Sequence, residues 1–193
     1  MKEKNRRRKD LTWTNEEPVL VQRTRIFDIL SQKTCPPGQT ASHDFTILKA
    51  PDWVNVIPLT AEGKVVLIEQ FRHGVSRVTL EIPGGVVDAG ETPEDCALRE
   101  LVEETGFRAS GLAFLGRTLP NPAFLTNVCH TFLATGCVSD EAAREPDETE
   151  SIRVLLENLE RIPSLIADES IDHALVVVAF THLSLSRPDL LRL

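Results

Sequence analysis

The pattern of apolar and polar positions predicts a series of β-strands in the first half of the chain. Residues 18–30 alternate apolar and polar side chains well enough for one or two strands. The stretch CPPGQ, at residues 35–39, is typical of a turn. Three more strand-like runs end near residues 60, 71 and 83, with a hairpin turn over 61–63 between the first two. The middle run, KVVLIEQF, is almost continuously apolar, which predicts a strand at the centre of a sheet.

The next segment predicts a short helix with a signal at each end. Thr92 is a good N-cap, Pro93 suits the first helical position, and Asp95 can complete a capping box. Gly106 is a natural stop, so we expect a helix over 93–105. The rest of the chain predicts strands at 111–117, 130–135 and 152–156, a long acidic loop at 138–151, and helices at 157–168 and 171–185. This order predicts an α/β fold in which helices flank a mixed sheet.

Composition and charge argue against several classes of protein. The 193 residues suit one domain with a small N-terminal extension, and no apolar run reaches the roughly 18 residues of a membrane span. The net charge of −8 disfavours broad nucleic-acid binding. The basic stretch at residues 2–9 could form an anion-binding tail, but we interpret it as a solvated, disordered start without the apolar segment of an export signal. The four cysteines have no zinc-ligand spacing and predict reduced thiols in a cytosolic protein: Cys35, Cys96, Cys129 and Cys137.

The predicted helix collects carboxylates on one side. On a helical wheel, Arg99 and the three glutamates Glu100, Glu103 and Glu104 fall within about 140° and are expected to face outward. Like charges three and four residues apart destabilise a helix, and Arg99 is the one basic residue among them. A solvated amphipathic helix is one interpretation, and a site for a divalent cation such as Mg²⁺ or Mn²⁺ is the other. The preceding pair, Gly84 and Gly85, permits a close approach of the backbone, and a carbonyl there could join the metal site.

The spacing of these residues resembles a known motif. Residues 85–107, GVVDAGETPEDCALRELVEETGF, are similar to the Nudix box, G-x5-E-x7-R-E-U-x-E-E-x-G-U, in which U is aliphatic or aromatic. Every fixed position is filled: Gly85, Glu91, Arg99, Glu100, Leu101, Glu103, Glu104, Gly106 and Phe107. The resemblance implies an α/β/α sandwich with a mixed sheet. It also implies hydrolysis of a nucleoside diphosphate linked to another group, with Mg²⁺ or Mn²⁺ as cofactor.

The resemblance also implies roles for individual residues of the box. The metal ligands would be Glu104, Glu100 and the carbonyl of Gly84. Glu103 and Arg99 would take part in catalysis, with Arg99 orienting the glutamates. The structural positions of the box would be Gly85, Glu91 and Gly106.

Two stretches outside the box resemble ADP-ribose pyrophosphatases and related nucleoside diphosphate sugar hydrolases. In VVLIEQFRHG, residues 65–74, the resemblance places Arg72 near the substrate phosphates, and a strand-end arginine in solvent is the alternative. In residues 119–134 the prolines fall where ADP-ribose hydrolases carry one, but PNPA replaces the usual SPG, so another sugar nucleotide such as a GDP-hexose stays open. The candidates for substrate contact in this stretch are Asn121 and Pro122, with Asn127 and His130 as residues that are either structural or substrate-binding.

A third stretch, PDETESIRV at residues 146–154, resembles the acidic loop whose first glutamate helps to activate water in related enzymes. The resemblance implies this role for Glu148, with Glu150 second and Glu100 or Glu103 as alternatives. In those enzymes the region equivalent to 18–50 pairs across a dimer and helps to form the nucleobase pocket. Trp53 could then stack on a base, with core packing as the alternative.

Together these features predict three regions: a disordered basic head at 1–17, N-terminal strands at 18–50 that could serve dimerisation, and a Nudix hydrolase domain at 51–193. The expected reaction is metal-dependent cleavage of a nucleoside diphosphate sugar, with ADP-ribose first, to a nucleoside monophosphate and a sugar phosphate. The alternatives are a nucleoside triphosphate pyrophosphohydrolase and a Nudix-like ligand sensor. We expect a cytoplasmic homodimer that binds neither nucleic acid nor membranes.

Overall fold

The computed structural model describes residues 11–140, 142, 144 and 151–193. The chain forms two compact units. The first contains the chain up to Pro51 together with Leu119–Asn127, and the second contains Asp52–Thr118 together with Val128–Leu193.

The first unit is built around an antiparallel sheet. Its strands are β1 (Thr14–Asn15), β2 (Val19–Arg23), β3 (Asp28–Cys35) and β4 (His43–Lys49). β3 pairs with all three others, and Leu48 of β4 also forms a parallel bridge to Leu125. The sequence thus predicts β2 and part of β3, whereas β1 lies within the stretch 1–17 that we expected to be disordered. Residues 1–10 of that stretch lie outside the described residues.

The second unit contains the main sheet, whose strands are listed in chain order. They are β5 (Trp53–Leu59), β6 (Lys64–Arg72), β7 (Arg77–Glu81), β9 (Gly111–Thr118), β10 (Cys129–Thr135) and β12 (Ile152–Asn158); two short strands, β8 (Phe107–Arg108) and β11 (Val138–Ser139), pair with each other. The order is β12-β6-β5-β10-β9, and β7 also pairs with β6. The β5–β10 pair is parallel and the other pairs are antiparallel, so the sheet is mixed as predicted.

Helices cover both faces of this sheet. They are α1 (Pro93–Thr105), α2 (Ile162–Ala167) and α3 (Ala174–Ser186), with a 3₁₀ turn at Leu159–Arg161. On one face α2 and α3 pack on side chains such as Ile57 and Leu67, and on the other α1 packs on side chains such as Val56 and Val66. Adjacent residues of a strand point to opposite faces, so the apolar run of β6 supplies both layers. The predicted α/β/α sandwich is therefore confirmed.

The predicted helix over 157–168 is wrong in its first part. β12 continues to Asn158, because Glu157 and Asn158 pair with Val65 and Lys64 of β6. The ladder to the central strand overrides the weak local preference for a helix. No helix in the part of the chain that the structure describes is long and apolar enough to cross a membrane.

Candidate functional site

The helix α1 has the caps that the sequence predicts. The Thr92 hydroxyl oxygen accepts a hydrogen bond from the backbone N–H of Asp95 at 3.1 Å. The same hydroxyl donates to the Asp95 carboxylate at 2.6 Å, so Asp95 closes the cap through the Thr92 side chain rather than through its backbone N–H. At the other end Gly106 takes a φ of 70°, and its N–H donates to the carbonyl of Val102 at 2.8 Å. Both ends of the carboxylate-bearing helix are therefore fixed.

The outward placement predicted for Glu104 is wrong. Glu104 is only 2% exposed, and it lies on the same buried stripe as Ala97 and Leu101, at a spacing of four and three residues. Leu98, an apolar residue of the same helix, is 39% exposed. The Glu104 carboxylate tolerates burial because its Oε2 accepts a hydrogen bond from the backbone N–H of Gly84 at 2.9 Å.

Arg99 connects three of the carboxylates. Its Nε and Nη2 donate to the two oxygens of Glu91 at 2.8 and 2.9 Å, and its Nη1 donates to Glu100 at 2.8 Å and to Glu103 at 2.9 Å. These hydrogen bonds lower the pKa of Glu91 to about 2 and raise the pKa of the Arg99 guanidinium above its usual value. A single cation therefore relieves the repulsion among these carboxylates and fixes their orientation.

Each glycine of the pair before α1 fills a place where a side chain does not fit. A Cβ on Gly85 would collide with the carboxylate of Glu100, and a Cβ on Gly84 would collide with the backbone carbonyl of Val54. The carbonyls of Gly85 and Pro83 accept hydrogen bonds from β5, from the N–H groups of Val54 and Val56, both at 2.9 Å.

This register determines which way the Gly84 peptide groups point. In an extended segment the carbonyl and N–H of one residue lie on the same side, and those of its neighbours lie on the other. The Gly84 N–H bonds to Glu104, so the Gly84 carbonyl also points away from β5 and toward the side of Glu104. The predicted carbonyl ligand and the predicted carboxylate ligand therefore lie on one side of this segment.

The donors gathered here are carboxylate and carbonyl oxygens, which fit a hard divalent cation. Within the described residues, however, no three His, Cys, Asp or Glu side chains come close enough together to hold a metal ion by themselves. Glu100 and Glu103 are instead joined through Arg99. The predicted water-activating residue Glu148 and its alternative Glu150 lie outside the described residues.

A cavity of about 250 Å³ opens beside the glycine pair. Two substrate-binding candidates of this unit, Arg72 and Trp53, line it together with Gly84 and Gly85. The structure therefore brings these two residues to the glycine end of the box.

Two further residues that line this cavity, Glu81 and His173, were not predicted from the sequence. Arg72 donates from Nε to Glu81 Oε1 at 2.8 Å and from Nη2 to Oε2 at 2.7 Å, so this strand-end arginine is ion-paired while its side chain stays 43% exposed. The Thr79 hydroxyl donates to Glu81 at 2.6 Å. Burial alone would raise the pKa of Glu81, but the hydrogen bonds from Arg72 and Thr79 outweigh it and hold this pKa below its ordinary value. The alternation of polar and apolar residues in RVTLE was the available signal for Glu81, since it puts Thr79 and Glu81 on one face of β7.

Of the remaining candidates, Asn121 and His130 have hydrogen-bond partners nearby, whereas the buried side chain of Asn127 has no hydrogen-bond partner within the described residues. Asn121 and Pro122 lie in the first unit, where the Asn121 carbonyl accepts from the N–H of Leu125 at 2.8 Å and its side chain accepts from the N–H of Ala123 at 3.3 Å. In the second unit His130 Nε2 lies 3.0 Å from a carboxylate oxygen of Asp52.

Comparison with known proteins identifies the family. The NUDIX domain matches residues 50–176, which is more than half of the chain. This chain belongs to the Nudix family. It is a Nudix hydrolase, and hydrolases of this family generally need a divalent metal ion.

Two relatives of this Nudix hydrolase come from bacilli. The chain is 36% identical over 150 residues to an ADP-ribose pyrophosphatase of Bacillus subtilis strain 168, a match that spans 78% of this chain and 80% of the relative. It is 33% identical over 150 residues to a methanol dehydrogenase activator of Bacillus methanolicus, with the same coverage of 78% and 80%. A solved structure of an ADP compounds hydrolase superposes with a TM-score of 0.82 over 94% of this chain and 97% of the other, and at 23% identity this likeness shows the fold.

Proposed function

We propose that this Nudix hydrolase cleaves the pyrophosphate bond of a nucleoside diphosphate sugar, with ADP-ribose as the first candidate, to a nucleoside monophosphate and a sugar phosphate. The observation that carries the proposal is the cavity in which Arg72 stands beside the glycine pair of the box. Arg72 supplies a fixed cation for a phosphate group. The relative from Bacillus subtilis, named an ADP-ribose pyrophosphatase, supports the substrate class.

The proposed cofactor is Mg²⁺ or Mn²⁺, held by Glu100, Glu104 and the carbonyl of Gly84. When bound, such an ion neutralises charge on phosphate oxygens and lowers the pKa of a bound water. Glu100 and Glu104 by themselves repel a diphosphate, since two like charges 4 Å apart interact by about 4 kcal/mol at an effective dielectric near 20. The catalytic task of Arg99 is to hold Glu100 and Glu103 in one orientation.

The remaining roles are proposed on the substrate side. Arg72 binds a phosphate, Trp53 stacks on the nucleobase, and Asn121 and Pro122 contact the substrate. Glu148 takes the proton of the attacking water, with Glu103 and Glu100 as the alternatives.

The proposed assembly is a homodimer formed through the strands of residues 18–50. Val19, Val21 and Ile26 support it, because these apolar side chains are each more than 60% exposed in the first unit. The proposed compartment is the cytosol, where free thiols stay reduced, and all four cysteines of the chain are free.

Product analysis tests the proposal. The purified protein is incubated with ADP-ribose, other ADP-sugars, a GDP-hexose and the nucleoside triphosphates, each with Mg²⁺ or Mn²⁺ and with a chelator. We expect a nucleoside monophosphate and a sugar phosphate from at least one sugar nucleotide, and no turnover with the chelator. Release of pyrophosphate from the triphosphates alone would refute the proposed branch.

A pair of variants on one helix links that activity to the box. Glu100→Gln removes a proposed metal ligand and is expected to abolish most of the turnover. Glu94→Gln removes an exposed glutamate of the first turn of the same helix, and we expect activity close to wild type. Equal activity of the two variants would place the metal elsewhere.

A further inference from the structure

Glu81 is a buried charge that the Nudix box does not account for. Its side chain is only 3% exposed, and it bonds to both Nε and Nη2 of Arg72 and to the hydroxyl of Thr79. Replacing a buried ion pair by well-packed apolar residues is often neutral or stabilising, so such a pair is weak grounds for a stabilising role. The location of this pair, in the wall of the cavity beside Gly84 and Gly85, suggests a different purpose.

The Glu81 carboxylate binds the guanidinium of Arg72 on its buried side. Two parallel hydrogen bonds to one carboxylate fix both the position and the plane of a guanidinium. The Arg72 side chain stays 43% exposed while that of Glu81 is covered, so the carboxylate forms the back of the pair and the guanidinium forms the front. Glu81 engages two of the five N–H donors of an arginine.

The surroundings of Glu81 are themselves anchored. His173, which precedes α3, places Nε2 4.0 Å from the same Glu81 oxygen that accepts from Arg72 Nη2. Its neighbour Asp172 pairs with Arg77 at the start of β7. Two residues after His173, the carbonyl of Leu175 accepts a hydrogen bond from the Asn55 side chain at 3.1 Å. The segment that braces Glu81 is thus tied to both β7 and β5.

We propose that Glu81 is a positioning residue, which holds the guanidinium of Arg72 in the orientation that binds the diphosphate of the substrate. The proposal rests on the proposed function, since it takes Arg72 as the phosphate ligand. Holding a charged group in place before the substrate arrives removes the loss of entropy on binding and lets the group act on the reacting phosphate without reorganisation.

The sign of the effect separates positioning from simple electrostatics. Glu81 is negative, so as a bare charge it weakens the attraction of the cavity for an anion. Removing that charge would then strengthen anion binding. If Glu81 acts by positioning, removing it weakens binding and slows turnover, because Arg72 loses its fixed orientation.

A double-mutant cycle between Glu81→Gln and Arg72→Lys tests the proposal. Glu81→Gln leaves one acceptor oxygen and so breaks the two-point pairing, whereas Arg72→Lys removes the guanidinium but leaves a positive charge next to Glu81. The readouts are kcat and KM for ADP-ribose with Mg²⁺, and the affinity for ADP with Mg²⁺ by calorimetry. We expect each single variant to lose about tenfold or more in kcat/KM, since small misplacements of a catalytic contact have effects of up to about 100-fold. The double variant is expected to fall within about threefold of the worse single variant, because coupled residues are not additive.

Controls keep the result interpretable. Asp189→Asn breaks an exposed pair with Arg187, two residues that do not line the cavity, and leaves Glu81 in place, so we expect wild-type kcat/KM and ADP affinity. Thermal unfolding of every variant checks the fold. Should Glu81→Gln not fold, Glu81→Asp replaces it, because the shorter side chain keeps the charge but withdraws the carboxylate from Arg72.

Several results would overturn the proposal: tighter ADP binding by Glu81→Gln, an unchanged kcat/KM, losses that multiply in the double variant, or an equal loss in Asp189→Asn. A wild-type protein that binds ADP but cleaves no sugar nucleotide would refute the proposed function, and the cycle in ADP affinity would still decide the role of Glu81. A wild-type protein that neither cleaves sugar nucleotides nor binds ADP would refute both.

Discussion

Alanine substitutions at the two glycines before α1 are expected to separate stability from activity. At Gly84 the new Cβ meets backbone, since it collides with the Val54 carbonyl and lies 3.2 Å from the Cα of Asn55. At Gly85 the new Cβ meets the end of a flexible side chain, the carboxylate of Glu100. Backbone in a sheet cannot move aside easily, whereas a glutamate can change its rotamer.

The magnitudes follow from these contacts. Overpacking costs about 1–3 kcal/mol. Moving the glycine segment away from β5 also weakens the hydrogen bonds to the carbonyls of Pro83 and Gly85, which are worth about 1 kcal/mol each. The lower entropy of the unfolded chain offsets about 0.4–1 kcal/mol. Gly84→Ala is therefore expected to destabilise the fold by about 2–4 kcal/mol, or roughly 5–15 °C in Tm for a chain of this size. In Gly85→Ala the rotation of Glu100 relieves most of the clash, so we expect Tm within about 4 °C of wild type.

Gly85→Ala is expected to lose activity although it keeps most of its stability. The rotated Glu100 leaves both Arg99 and the proposed metal site, and a displacement of this kind is expected to lower kcat by about 100-fold. The assay compares thermal unfolding with kcat at saturating Mg²⁺. Gly74→Ala is the matched control, because a Cβ there has no atom within 4 Å and both properties should stay at the wild-type level. A fully active Gly85→Ala enzyme would refute the requirement for Glu100 in this position.

Three further predictions test other contacts of the site. Glu104→Gln is expected to lower turnover by at least about 100-fold in saturating Mg²⁺, because the side chain no longer carries a charge. The protein should stay folded by circular dichroism, because the amide oxygen still accepts the hydrogen bond from the Gly84 N–H. Unchanged turnover would remove Glu104 from the metal site. The pKa of Glu91 is depressed from an ordinary value of 4.5 to about 2, so its contribution to stability is present above pH 4.5 and is lost as the pH falls toward 2. The difference in Tm between wild type and Glu91→Gln should therefore shrink over that range, and a constant difference would contradict the Arg99 pairing. Arg144→Ala is expected to destabilise the fold by about 1–3 kcal/mol in urea unfolding, because Arg144 donates to the carbonyls of Glu104 at 3.0 Å and Ile152 at 2.7 Å.

The parts of the structure that local signals specify were predicted well. The limits of α1 follow from Thr92 and Gly106, both of which act on neighbouring backbone groups. The central position of β6 follows from its apolar run, which is buried on both faces. The caps of α1 act within the helix itself, and the apolar run of β6 reflects burial along the whole strand, so both features can be predicted from the sequence alone.

The features that sequence analysis missed depend on partners far along the chain. The burial of Glu104 is possible because of the N–H of Gly84, which is 20 residues away and carries no side-chain signal. When the outer face of a helix is chosen by the polarity of its residues, every glutamate is assigned to solvent. The pairing of Arg72 with Glu81 depends on the β6–β7 hairpin, and the end of β12 depends on its pairing with β6. Tertiary contacts decide all three features, and a pattern of polarity does not contain them.

Two groups of charged side chains flank the glycine segment in the sequence. The first wall, Arg72 and Glu81, lines the cavity, and the second wall, Arg99 with Glu91 and Glu100, adjoins it at Gly85. Each arginine is bound by both oxygens of a covered glutamate, and each pair lies on a different side of the glycine segment in the sequence. The Arg72 pair presents its cation toward the cavity, because Glu81 lies behind it. The Arg99 pair instead holds Glu100 against Gly85, which lines the same cavity. An anion alone suits the first wall and is repelled by the second, and a cation alone suits only the second. A diphosphate that arrives with a divalent cation satisfies both, and this complementarity is the physical reason to expect hydrolysis of a metal-bound sugar nucleotide here.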